Sequence, residues 1–227
     1  MDRNSIIARY RHLRGILQGQ KQAAYAYLSE QTILDQARFL RMAAGKTVLA
    51  DTRDEYMLVV DLALHAPRFG RSRAFERYRN AARPAPDSEE AGVLDALCAA
   101  RFVIGMIEGC HDVAGLVVTD LLRNAELQLM DLNLEASWSE SFAFAAYLVT
   151  LDGFSMSSSI LVPIEKADLE DALFRLPPGR DGTVETLAAD PLFAGLVWRA
   201  ALARGAMDQI VTMEVGGASQ AFAAPAG

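Results

Sequence analysis

The chain has 227 residues, 52% hydrophobic and 22% charged, with a mean hydropathy of +0.12. That composition excludes a disordered chain, a collagen-like repeat and a disulfide-stapled miniprotein, and leaves room for one large domain or two small ones. Charge is split along the sequence: residues 1–86 carry 15 Lys and Arg against 8 Asp and Glu, whereas residues 87–227 carry 7 against 21.

Two cysteines, Cys98 and Cys110, cannot build a four-ligand zinc site alone and give no sign of an oxidising compartment. No uncharged apolar run approaches the roughly 18 residues of a membrane-spanning helix. The longest, Ser141 to Leu151, stops at Asp152. The first residues lead into a charged amphipathic segment rather than an apolar signal core. The expectation is a soluble, cytoplasmic bacterial protein with no membrane contact.

In chain order, Ile6, Ile7, Tyr10, Leu13 and Leu17 recur at helical steps, and Ala23, Tyr27, Ile33, Leu34, Ala37 and Leu40 continue the period to a C-terminal cap at Gly45. Asp51 or Thr52 caps the next helix, with Tyr56, Val59, Val60 and Ala63 inward and a stop at Pro67. Ser72 to Ala82 reads as a shorter basic helix. Arg83-Pro84-Ala85-Pro86 marks a linker at the charge seam, since proline disfavours helix at itself and at the residue before it. Asp87 and Glu90, at capping-box spacing, open a helix through Ala100.

At Arg101 the period changes from 3.6 to 2. Phe102, Ile104 and Met106, then Leu116, Val118 and Asp120, predict strands, and Arg123-Asn124 a hairpin turn. Asp152-Gly153, between Phe142–Thr150 and Phe154–Ile160, is the residue pair a type I′ turn prefers. These short strands predict a small barrel or a curled antiparallel sheet. Helices return at Ala167–Leu176, break at Pro177-Pro178-Gly179, and resume after Pro191 through Ala203.

Four constellations carry candidate chemistry. The stretch Arg68 to Arg83 holds six arginines, three aromatics and one acid. Guanidinium forks suit phosphates and aromatic rings stack on bases, so Arg68, Arg71, Arg73, Arg77 and Arg79 form a candidate polyanion site. The same helical spacing also suits docking on the acidic half, or holding a small anion, and the net charge of −7 argues against a dedicated nucleic-acid binder. Asp54, Asp61 and His65 share one stripe of a predicted helix and form a candidate metal site, with Glu55 in support; a solvated helix face is the alternative. Cys110-His111-Asp112 reads as a turn with an incidental thiol. Ser155, Ser157 and Ser159 alternate along one strand face, which either lines a polar pocket or faces solvent. None of the nucleotide-binding, nucleophile-elbow or zinc-protease motifs occurs in the sequence.

Four segments carry a resemblance: Val93-Leu94-Asp95-Ala96-Leu97 running into Ala100-Arg101-Phe102, then Gly115 to Leu122, then Leu127 to Asp131, and finally Asp152 to Ser158. Together they resemble a family of uncharacterised bacterial proteins, some of which carry a zinc-binding SEC-C motif. The resemblance implies a helix-plus-small-barrel module and supplies no chemistry. The cysteine cluster of that motif is missing here, so the zinc does not carry over.

The fold expected is α+β, with a basic helical region (1–83), a helix plus antiparallel β module (87–164), a C-terminal helical region (165–214) and a flexible tail (215–227). The leading functional expectation is a non-enzymatic binding or adaptor protein without a cofactor, whose partner is another protein or a second copy of itself. The alternatives are a nucleic-acid-binding accessory factor and a metal-dependent hydrolase.

Overall fold

A computed structural model describes residues 2–66, 72–179 and 183–209. Five helices come first: α1 (Arg3–Tyr25), α2 (Glu30–Phe39), α3 (Arg53–His65), α4 (Ala74–Ala82) and α5 (Glu89–Cys98). Their starts follow capping chemistry. Asp2 accepts from Ser5 N, Ser29 from Thr32 N and Ser88 from Ala91 N, while Thr52 and Glu55 complete a capping box.

Two local expectations need correction. Ser88, not Asp87, caps α5, because Asp87 takes a left-handed φ of 63° and turns the chain. Gly45 does not cap a long helix. The chain leaves helix after Phe39, Arg41 reverses it at φ 64°, and Gly45, at φ 60°, turns the two-residue hairpin of β1 (Ala43–Ala44) and β2 (Thr47–Val48). Strands of two residues carry no readable period.

The β module contains β3 (Arg101–Cys110), β4 (Leu116–Asp120), β5 (Ala125–Leu129), β6 (Ala143–Leu151), β7 (Phe154–Ser157) and β8 (Val162–Ile164). The strands run in the order β3-β4-β5-β7-β6-β8, and β3 also pairs with β6, so β3, β4, β5, β7 and β6 close a small barrel. The pairings are antiparallel except the short parallel contact of β5 with β7 at Leu129 and Ser155. A register shift between Ile107 and Gly109 bends β3 around the barrel. Asp152 (φ 52°) and Gly153 (φ 87°) form the tight turn expected between β6 and β7. A short helix, α6 (Leu132–Ser137), interrupts the strands.

The described residues end with α7 (Lys166–Phe174), α8 (Val184–Ala189), α9 (Pro191–Ala203) and a 3₁₀ turn at Ala206–Gln209. The architecture is α+β: N-terminal helices, a small mixed barrel and C-terminal helices.

Period-2 patterning places the barrel between two cores. Val103, Ile107, Phe144, Ala146 and Leu148 fill its interior with Leu116, Val118 and Leu129. The alternate residues Phe102, Ile104, Ala145 and Tyr147 point outward and pack against α2, α3 and α9, including Trp198. β3 and β6 are therefore buried on both faces, like strands covered by helices. A third cluster joins Leu13 and Leu17 of α1 and Phe75 of α4 to Val93, Leu94 and Leu97 of α5, with Phe154 and Met156 of β7. The two charge halves meet through ion pairs: Arg3 with Glu135, Arg9 with Glu89 and Asp152, and Arg79 with Asp95.

Candidate functional site

Asp61 and His65, one turn apart on α3, face inward. Lys21 of α1 and Ser158, just beyond β7, meet them there. Lys21, Asp61, His65 and Ser158 are 5%, 1%, 1% and 0% exposed. Lys21 Nζ donates to Asp61 Oδ1 at 2.9 Å and to the Ser158 carbonyl at 2.7 Å. Ser158 Oγ donates to the same Asp61 oxygen at 2.9 Å. With its proton committed to the carboxylate, Ser158 Oγ accepts from His65 Nε2 at 2.8 Å, which makes His65 the Nε2–H tautomer. Burial pushes the imidazole pKa down from 6.5 to about 4; Asp61 opposes that shift, and the Lys21 and Arg73 charges add to it. The quartet thus holds one ammonium, one carboxylate and a neutral imidazole.

This order of groups is wrong for nucleophilic catalysis. An activated serine gives its proton to the imidazole, whereas here the serine proton faces a carboxylate already held by an ammonium. The quartet ties α1, α3 and the end of β7 together. Asp61 Oδ2 and His65 Nδ1 are buried without a hydrogen-bond partner.

The His65 ring stacks on Tyr147 of β6, centroids 4.3 Å apart and 12° between planes, and its other neighbour is Phe75 at 4.9 Å. Tyr147 in turn forms one wall of a pocket of about 180 Å³. Five segments build this pocket: the start of α4, the α5–β3 junction, the turn between β4 and β5, β6, and the α8–α9 junction. They contribute Arg73, Arg101 and Arg123, several alanines, Phe102, Asp190 and Pro191.

Two of these guanidinium groups are anchored to backbone. Arg73 Nη1 donates to the Cys98 carbonyl at 3.2 Å. Arg123 Nη1 donates to the Phe102 carbonyl at 3.2 Å and to Asp120 Oδ2 at 2.7 Å, while Asp120 Oδ1 accepts from Leu122 N. Arg101 is exposed at the first position of β3. Asp190 caps α9 by accepting from Leu192 N at 2.9 Å. Burial raises the Tyr147 phenol pKa, and the Arg73 charge lowers it in part.

The candidate residues from the sequence distribute as follows. Arg68 and Arg71 lie outside the described residues. Arg77 donates to the carbonyls of Tyr27 and Ser72, and Arg79 pairs with Asp95 at 3.1 Å. Arg73 alone of the described three reaches the pocket. Phe75 is core, and Tyr78 packs on Tyr27 with centroids 5.5 Å apart. Asp61 and His65 come together, but Asp54 stays half-buried in the first turn of α3, about 10 Å along the axis at 1.5 Å per residue. Among the described residues, no group of three His, Cys, Asp or Glu side chains is placed to hold a metal ion.

Cys110 is an exposed strand end, and His111 Nδ1 accepts from Val113 N in the following turn. The serine strand does not face solvent. Ser155 and Ser157 are buried and Ser159 is half-buried, next to Ser158, which meets Lys21 of α1 and Asp61 of α3. Lys21, Ser158, Arg101 and Arg123 escaped sequence reasoning. Lys21 had one usable signal: it falls at i+4 from Leu17, on the inward stripe of α1.

Among the described residues, no helix is long and apolar enough to cross a membrane. Comparison with known proteins finds no match among curated proteins and none among solved structures. A family of unknown function, DUF7986, matches residues 4–175, which takes in the helices α1 to α5, the barrel and α7, and leaves the α8–α9 wall of the pocket outside. The chain, sharing this helix-plus-small-barrel module, belongs to the DUF7986 family.

Proposed function

We propose that this protein is a non-enzymatic binding or adaptor protein of the bacterial cytoplasm, which recognises its ligand or partner at the pocket between α4, the start of β3 and the α8–α9 junction. One observation carries the reading: three arginines from separate elements line a concave site whose other walls are mainly alanine, proline and aromatic surface. The pocket lining contains no Ser, Cys, His or Lys. Lys21, Asp61, His65 and Ser158 lie behind Tyr147 and are spent on one another, which leaves Asp190 as the carboxylate of the lining. Fixed cations and apolar walls without an exposed acid–base couple suit recognition more than bond-making. The engagement of Arg77 by the Tyr27 carbonyl, and of Arg79 by Asp95 at the surface, favours a compact pocket over an extended polyanion track.

The test is native mass spectrometry of protein purified at low salt without chelator, compared with Ala189→Trp. Ala189 is exposed on the pocket wall, so tryptophan plugs the site without entering the core. The expected result is a co-purified ligand or partner on the wild type that is lost from the variant, while the two proteins stripped of ligand melt at the same temperature. Equal retention by both proteins would place recognition elsewhere.

A further inference from the structure

We propose that the pocket binds the phosphoryl group of a small metabolite, with Arg73, Arg101 and Arg123 as its recognition groups. This rests on the pocket being the recognition site. Charge, size and geometry each contribute.

Arg73 and Arg101 have no carboxylate partner among the described residues, whereas Arg123 keeps Asp120 at 2.7 Å. Asp190 is the lone carboxylate on the wall. It turns toward the amide at the start of α9. Three guanidinium groups against Asp190 on the wall and Asp120 behind Arg123 leave a single positive charge in excess. That excess draws an anion to the site, and the geometry of the donors selects the phosphoryl group.

At about 180 Å³ the pocket falls below the roughly 300–1,000 Å³ of sites for drug-sized ligands. It admits a phosphoryl head with a short stem and not a whole nucleotide. The arginines come from the α4 cap, the first residue of β3 and the β4–β5 turn, three separate elements around the pocket. A planar carboxylate is satisfied by one guanidinium fork. A phosphoryl group presents three acceptor oxygens in a tetrahedral array and uses donors from several directions. The carbonyl anchors on Arg73 and Arg123 hold those side chains near their binding positions before a ligand arrives.

Isothermal titration calorimetry and thermal shift with inorganic phosphate and glycerol 3-phosphate test this, with succinate at matched ionic strength as the planar control. The variants are Arg101→Gln, an exposed position, and Ala189→Trp. The expected result is saturable binding of both phosphates with a rise in melting temperature. Binding weakens on the order of tenfold in Arg101→Gln, the size expected for one charge-assisted hydrogen bond, and is lost in Ala189→Trp. A flat melting temperature and no saturable heat with either phosphate would overturn the proposal. Phosphate binding that is unchanged in both variants would overturn it as well, by placing the anion elsewhere. Succinate binding more tightly than phosphate, and blocked by Ala189→Trp, would overturn the phosphoryl assignment while leaving the pocket as the recognition site.

Discussion

Burying Lys21 and Asp61 strips both of water, and the interior holds them through their mutual ion pair and the bonds that each makes to Ser158, with Asp61 Oδ2 left unpartnered. His65 solves the same problem by staying neutral. Its folded pKa of about 4 lies below the ordinary 6.5. As pH falls from 6.5 toward 4, the unfolded chain takes up a proton at this position that the folded chain refuses, so stability drops through that window and is fully present above it. A shift of that size corresponds to roughly 3 kcal/mol. Urea denaturation from pH 7 to 4 is expected to show this slope in the wild type and a shallower one in His65→Phe. Parallel slopes would mean that His65 does not carry the effect. The Asp61–His65 stripe was visible in the sequence at i, i+4. Its partners were not, because Lys21 is 40 positions from Asp61 and Ser158 is 97, and no local period encodes contacts at such range.

Elements with a strong local signal formed where the sequence placed them. The Asp152-Gly153 hairpin, β3 and β4 all follow from turn chemistry and alternation. The barrel's closure depends on finer fits. At Gly105 an added Cβ would lie 2.4 Å from the Phe144 ring and 2.9 Å from a Val118 methyl. Gly105→Ala therefore forces the barrel core apart, and is expected to cost about 1–3 kcal/mol by overpacking. Trimming the opposing ring in Gly105→Ala/Phe144→Leu should recover part of that loss. Denaturant midpoints of the wild type and the two variants decide it, and a double variant no more stable than the single one would show that the ring is not the obstacle. The helix α8, the strand β8 and the hairpin at Gly45 escaped sequence reading because each is six residues or shorter, too short to display a period.

Across the whole molecule, the basic and acidic halves are held by shared burial more than by their opposite charges. Arg9, Glu89 and Asp152 are partly solvent-exposed, and pairs of that kind contribute little. Leu13, Leu17 and Phe75, by contrast, are covered by Val93, Leu94 and Leu97 from beyond the proline linker. Residues 1–86 expressed alone are accordingly expected to lack cooperative unfolding and dispersed amide resonances, and to gain both on mixing with residues 87–227. Dispersed amide resonances from the isolated segment would show that the first four helices suffice as a folding unit. The pocket belongs to this same scale. Arg73 was legible as part of an arginine run, but Arg101 read only as the point where the period changes, and Arg123 only as a turn residue.

The sequence by itself determined what depends on neighbours a few positions apart: helices from their 3.6-residue stripes and caps, strands from alternation, tight turns from Asp-Gly, and the seam in charge at the prolines. Tertiary structure alone decided which stripes meet. It sealed Lys21, Asp61, His65 and Ser158 into one network, turned the serine strand inward, and gathered three arginines from three elements around Tyr147. The physical reason is that local preferences act through backbone geometry over a few residues, whereas a site is made by side chains that become neighbours only when the shared apolar cores close.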